Sequence, residues 1–102
     1  MKDEFLNIPL SKDDAVRHFE MTVRGQKAFI VYRETDAVVT LVHTQVAPGL
    51  QGHGAATALI EKTLDYIERN HLKMTPLCPM VLAYLKRHPE WKRLVATGTE
   101  SL

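Results

Sequence analysis

Apolar and polar residues alternate along Phe19-Glu20-Met21-Thr22-Val23-Arg24, the two-residue period of a strand with one buried face. Gly25-Gln26-Lys27 then supplies turn chemistry, and Ala28 to Arg33 reads as a second strand. Glu34-Thr35-Asp36 turns the chain into a long β-branched run from Ala37 to Val46, the third strand. Connections this short join antiparallel neighbours. After Pro48 and Gly49 the period lengthens. Ala56, Leu59, Ile60, Thr63, Leu64 and Ile67 fall on one helical face, while Glu61, Lys62, Asp65, Glu68 and Arg69 fill the other. Asn70-His71 closes this helix. Leu72 to Cys78 is then a short strand in which Pro76 limits pairing, and a strand, helix, strand order makes it parallel to the third strand.

Pro79 suits the first position of a second helix, where a missing N–H costs nothing and a fixed φ helps. That helix runs to about Arg87, Pro89 stops it, and Glu90 to Val95 adds a helical turn anchored by Trp91. Residues 1–17 are polar and broken by Pro9, so they read as a loosely held arm or a short turn from near Ser11. The tail from Ala96 reads as frayed.

A chain of 102 residues, 45% hydrophobic and 25% charged, is expected to form a single domain over 1–102 with one core. The formal charge of +1 and the lack of any Lys/Arg run argue against nucleic acid or an anionic membrane as partner. No stretch has the sustained apolar character of an export signal or a membrane span, which gives a cytoplasmic expectation. Cys78 is the lone cysteine and the five histidines are scattered, so no metal site is expected.

The junction between the third strand and the long helix holds Gly49, Gly52 and Gly54, followed by Ala55 and Ala56. Small residues here let a ligand approach the backbone, and the first-turn N–H groups with the helix dipole favour a phosphate. The alternative is that these glycines only turn the chain from strand to helix. Walker A and dinucleotide fingerprints are both absent. What remains, Gln51-x-x-Gly54-x-Ala56, resembles the Gln/Arg-x-x-Gly-x-Gly/Ala signature of the GNAT N-acetyltransferase superfamily. His43-Thr44-Gln45-Val46 before it resembles the small single-domain members. So do Pro76-Leu77-Cys78-Pro79, Tyr84 and Arg87-His88-Pro89-Glu90-Trp91 after it.

The resemblance covers Phe19 to Val95 and implies an α+β (mixed α/β) fold: an antiparallel three-stranded meander, a crossover helix, a parallel last strand and a C-terminal helix. It also implies acetyl-CoA (coenzyme A) as cosubstrate, with the backbone of Gln51, Gly52, His53, Gly54, Ala55 and Ala56 on the pyrophosphate. Pantetheine would enter a gap between the third strand, ending at Val46, and the last one. An amine acceptor, a small molecule or a protein, would meet the thioester beside His43, Thr44 and Gln45.

Direct acyl transfer requires a base, a donor to the oxyanion and an acid for the thiolate. His43 is a candidate base, or a strand histidine that merely hydrogen-bonds a neighbour. The family often carries an acid at the position of Gln45, and an amide there orients a group without taking its proton. Tyr84 falls where the resemblance implies a proton donor to the thiolate, or it is a core tyrosine. Cys78, before a helix start, is a reactive thiol beside the acyl group or a small buried hydrophobe. Two function classes therefore stand: an acetyl-CoA-dependent N-acetyltransferase, and a CoA or acyl-CoA-binding module without turnover. A plain interaction domain would require the glycine loop to be only a turn.

Overall fold

A computed structural model describes residues 2–96 of the chain. The elements are α1 (Asp3–Leu6), β1 (Ser11–Asp13), β2 (His18–Val23), β3 (Gln26–Thr35), β4 (Val38–Val46), α2 (Ala55–Arg69), β5 (Lys73–Pro76) and α3 (Pro79–Arg87). Short 3-10 turns lie at Pro48–Leu50 and Pro89–Leu94. The strands form one sheet in the order β1-β2-β3-β4-β5. The first four pair antiparallel and β5 runs parallel to β4. The α+β architecture expected from the sequence is therefore the one observed, with α2 as the crossover.

Local chemistry explains the hairpins. Arg24 (φ 49°) and Gly25 (φ 77°) turn β2 into β3, and Asp36 (φ 52°) and Ala37 (φ 64°) turn β3 into β4. Two consecutive left-handed residues match the right-handed twist of the flanking strands. Both turns are tighter than the sequence reading, so β3 extends beyond Ala28–Arg33 at each end. Alternate residues of β2, β3 and β4, including Phe19, Met21, Ile30, Tyr32, Val39 and Leu41, are buried. They meet the apolar stripe of α2, where Leu59, Leu64 and Ile67 have no exposed surface. At about 1.5–3 kcal/mol per fully buried large aliphatic side chain, this layer is the main stabilising contact of the fold.

The N-terminal segment differs from the loose arm expected for 1–17. β1 pairs Ser11 with Glu20 and Asp13 with His18, adding a fourth antiparallel strand to the meander. Phe5 is fully buried in the core. A single aromatic among Asp3, Glu4 and Asn7 has no periodicity, which is why the pattern missed it. At the other end Val95 bridges to Met74, and the Ala96 N–H donates to the Met74 carbonyl (2.9 Å). The rest of the tail expected to fray lies outside the described residues. No helix of the described residues is long and apolar enough to cross a membrane.

Two irregularities of β4 shape its C-terminal half. The register with β3 shifts between Val31, opposite His43, and Tyr32, opposite Leu41, which leaves Val42 as the extra residue of a β-bulge. Pairing with β5 covers only Val38 to Leu41. There the N–H groups of Leu77 and Cys78 both donate to the Leu41 carbonyl, each at 3.0 Å, and the chain turns away into α3. Among the described residues no strand covers that edge of β4 from Val42 to Val46.

Candidate ligand groove

The Ala47 N–H donates to the Lys27 carbonyl of β3 (2.9 Å). Strand alternation then turns the backbone groups of Gln45 and His43 toward β3 and those of Thr44 and Val46 toward the uncovered edge. The Val46 carbonyl accepts from Gln51 Nε2 (3.3 Å), which ties the loop back to the end of its strand. The N–H and C=O of Thr44 and the N–H of Val46 remain on an edge that an extended ligand can pair with, as an added strand would.

At the end of this edge the chain enters α2. Gly52 (φ 81°) and Gly54 (φ 83°) are both left-handed, a conformation that costs an L-residue with a Cβ roughly 1–2 kcal/mol. Gly54 is the N-cap of α2 and offers no side chain to cap it; the first turn contains no acid. The helix's own ladder begins with Ala58 N–H donating to the Gly54 carbonyl (3.0 Å). The N–H groups of Ala55, Ala56 and Thr57 thus belong to the unsatisfied first turn. An uncapped helix N-terminus of this kind is suited to an anion.

These features line one open groove of about 770 Å³, formed by His43, Thr44, Gln45, Val46, Pro48, Leu50, Gln51, Gly52, Gly54, Ala55, Ala56, Thr57 and Met80. Nine of the sequence-derived candidates are brought together there: His43, Thr44, Gln45, Val46, Gln51, Gly52, Gly54, Ala55 and Ala56. The sequence reading missed four lining residues. Thr57 had a legible signal, a hydroxyl in the first turn of the helix. Leu50 and Met80 had none, since one is a buried floor and the other an apolar side chain exposed beside Pro79. Pro48 was noticed only as the place where the period changes.

Three candidates lie elsewhere. His53 is at the exposed tip of the loop and does not line the groove. Cys78 is 2% exposed, and its Sγ lies 3.1 Å from Thr44 Oγ1 in a buried contact. It packs behind the groove wall, at the point where β4 and β5 part. Tyr84 is also buried, stacks on His88, and donates its hydroxyl to Glu61 Oε1 of α2 (2.9 Å). Burial first, and then the bond to Glu61, pushes the phenol well above its ordinary range. Its hydroxyl is thus satisfied by Glu61, and Tyr84 is not among the residues that line the groove. Glu61 itself lines a different hollow of about 640 Å³, bounded by Leu6, Ile8, Pro9, Leu10 and Trp91, which contains none of the candidate residues.

The architecture is an antiparallel meander, a crossover helix entered through left-handed glycines, and a last strand that parts from its parallel neighbour. Residues 18–94 match the family model of the GCN5-related N-acetyltransferases. The fold is also similar to the NMR solution structure of a GCN5-like protein of N-acetyltransferase type from Staphylococcus aureus. The TM-score is 0.62 at 21% identity, over 89% of this chain and 90% of that one. The chain belongs to the GCN5-related N-acetyltransferases, a family of acyltransferases.

Proposed function

We propose that the groove binds acetyl-coenzyme A and that the protein transfers the acetyl group to an amine. The observation that carries this reading is the uncapped N-terminus of α2, behind Gly52 and Gly54, at the end of an open β4 edge. In this reading the N–H groups of Ala55, Ala56 and Thr57 hold the diphosphate, a task that requires donors without a competing side-chain acceptor. The amide groups of the pantetheine arm pair with Thr44 and Val46, as a strand would. Such pairing fixes the arm in depth and direction, so the thioester is presented near the bulge at Val42 rather than sampling the whole groove.

The acceptor's neutral amine attacks the thioester carbonyl, a C–N bond forms, the C–S bond breaks, and the amine's proton must leave. His43 lines the groove beside the bulge and, among the described lining residues, is the one suited to take that proton. Gln45, also exposed in the groove, orients the acceptor by hydrogen bonding. Cys78 shapes the wall from behind and forms no acyl adduct, because it is buried and held against Thr44.

A second reading, binding of acyl-CoA without turnover, is favoured by two observations: among the described residues the groove lining offers no carboxylate, and Tyr84 is bonded to Glu61. One experiment separates the two. Free thiol is measured with acetyl-CoA and a panel of amines, alongside calorimetric titration of CoA. Amine-dependent thiol release that falls at least tenfold in His43→Ala, with CoA affinity kept, is the outcome expected for the transferase. CoA binding with no thiol release for any amine supports the binding module. If no CoA species binds, both readings fail.

A further inference from the structure

We propose that Lys2 is the cation that pairs with the diphosphate of the bound acyl-CoA. The proposal rests on the acyl-CoA reading of the groove and adds to it a residue outside the loop signature. Acyl-CoA brings several negative charges to this site, yet among the described residues that line the groove none is a lysine or an arginine. The charge must be met from elsewhere or left to backbone dipoles alone.

Lys2 is where such a charge is needed. Its side chain lies over Gly54, the left-handed N-cap of α2: a Cβ built on Gly54 would sit 3.5 Å from Lys2 Cε and 3.9 Å from Nζ. Among the described residues Lys2 has no ion pair, whereas the neighbouring Glu4 faces Arg24 at 3.8 Å. Nor is its placement that of a free chain end. The Lys2 carbonyl accepts from the Phe5 N–H (3.0 Å), the Phe5 carbonyl accepts from the Ile8 N–H (3.2 Å), and the Phe5 ring is fully buried in the core. A buried aromatic three residues on therefore fixes where the exposed lysine starts, and its flexible stem needs to carry the ammonium only a short way to a phosphate at the helix N-terminus.

The test is calorimetric titration of CoA and of dephospho-CoA, which keeps the diphosphate and lacks the ribose phosphate, into the unaltered protein and Lys2→Ala, Lys2→Glu and Lys2→Arg. Thermal unfolding checks that the fold is kept. Lys2→Ala is expected to weaken both ligands by about fivefold to tenfold and Lys2→Glu by more, with Lys2→Arg within about twofold of the unaltered protein. The loss should shrink as salt is raised, which a purely structural role would not produce. Unchanged affinity in Lys2→Glu overturns the proposal while leaving the acyl-CoA reading intact. A loss confined to CoA and absent for dephospho-CoA also overturns it, since the cation would then serve the ribose phosphate. Binding of neither ligand by the unaltered protein removes the acyl-CoA reading, and the proposal with it.

Discussion

Replacing Gly54 with Asp places a carboxylate at the N-cap of α2 without a clash, because the nearest atoms a Cβ there meets belong to the flexible Lys2 side chain, at 3.5 Å and beyond. Backbone strain is the structural cost: φ is +83°, where an L-residue loses roughly 1–2 kcal/mol, with Asp among the more tolerant. A negative charge at a helix N-terminus returns about 0.3–1 kcal/mol. The net loss is roughly 0–1.7 kcal/mol, and each 1 kcal/mol lowers Tm by about 4–8 °C in a domain of this size. The effect on a diphosphate is larger and of one sign. At roughly 5 Å and an effective dielectric near 20, two like charges repel by about 3 kcal/mol, a loss of about a hundredfold in affinity. The new carboxylate also competes for the N–H groups that the ligand requires. Gly54→Asn carries the same left-handed strain without the charge, so it separates the two contributions. Thermal unfolding and calorimetric titration of CoA on both variants decide the matter. A folded Gly54→Asp protein that binds CoA within about twofold of the unaltered one would refute the phosphate role of the loop.

Three further outcomes follow from particular contacts. Tyr84→Phe removes the bond to Glu61 and is expected to lower stability by about 1 kcal/mol in urea unfolding while keeping thiol release within about threefold; a hundredfold loss of release with intact CoA binding would return Tyr84 to the chemistry. Phe5→Ala empties a fully buried site and is expected to cost about 3–5 kcal/mol; a change under 1 kcal/mol would show that the N-terminal segment is dispensable to the core. A hydrogen bond from Lys12, and next one from Tyr32, hold the Asp14 carboxyl below the usual carboxylate range. Its folded pKa is depressed, so its contribution is present above the unfolded value of about 3.9 and is lost as pH falls through the lower folded one. Urea unfolding in steps from about pH 5 to pH 2 should therefore show a shallower acid limb in Asp14→Asn, and an identical slope would mean the pairing adds nothing to the native state.

The sequence alone determined the elements whose causes are local. The alternation of Phe19 to Val23, the helical stripe from Ala56 to Ile67 and Pro79 at the head of α3 each depend on residues a few positions apart. For that reason they could be placed before any fold was known. The loop from Gln51 to Ala56 was legible in the same way, because left-handed glycines and small first-turn residues are a local requirement. Tertiary structure decided what those elements do to one another. Thr44 reaches Cys78 across 34 positions, and Tyr84 reaches Glu61 across 23. Neither distance leaves a trace in the pattern of apolar and polar residues. The bulge at Val42 and the parting of β4 from β5 after Leu41 open the groove, yet both are set by pairing registers between distant strands. The burial of Phe5, and with it the placing of Lys2 over Gly54, has the same character: one aromatic in a polar run becomes core only when the sheet and α2 supply a cavity to receive it.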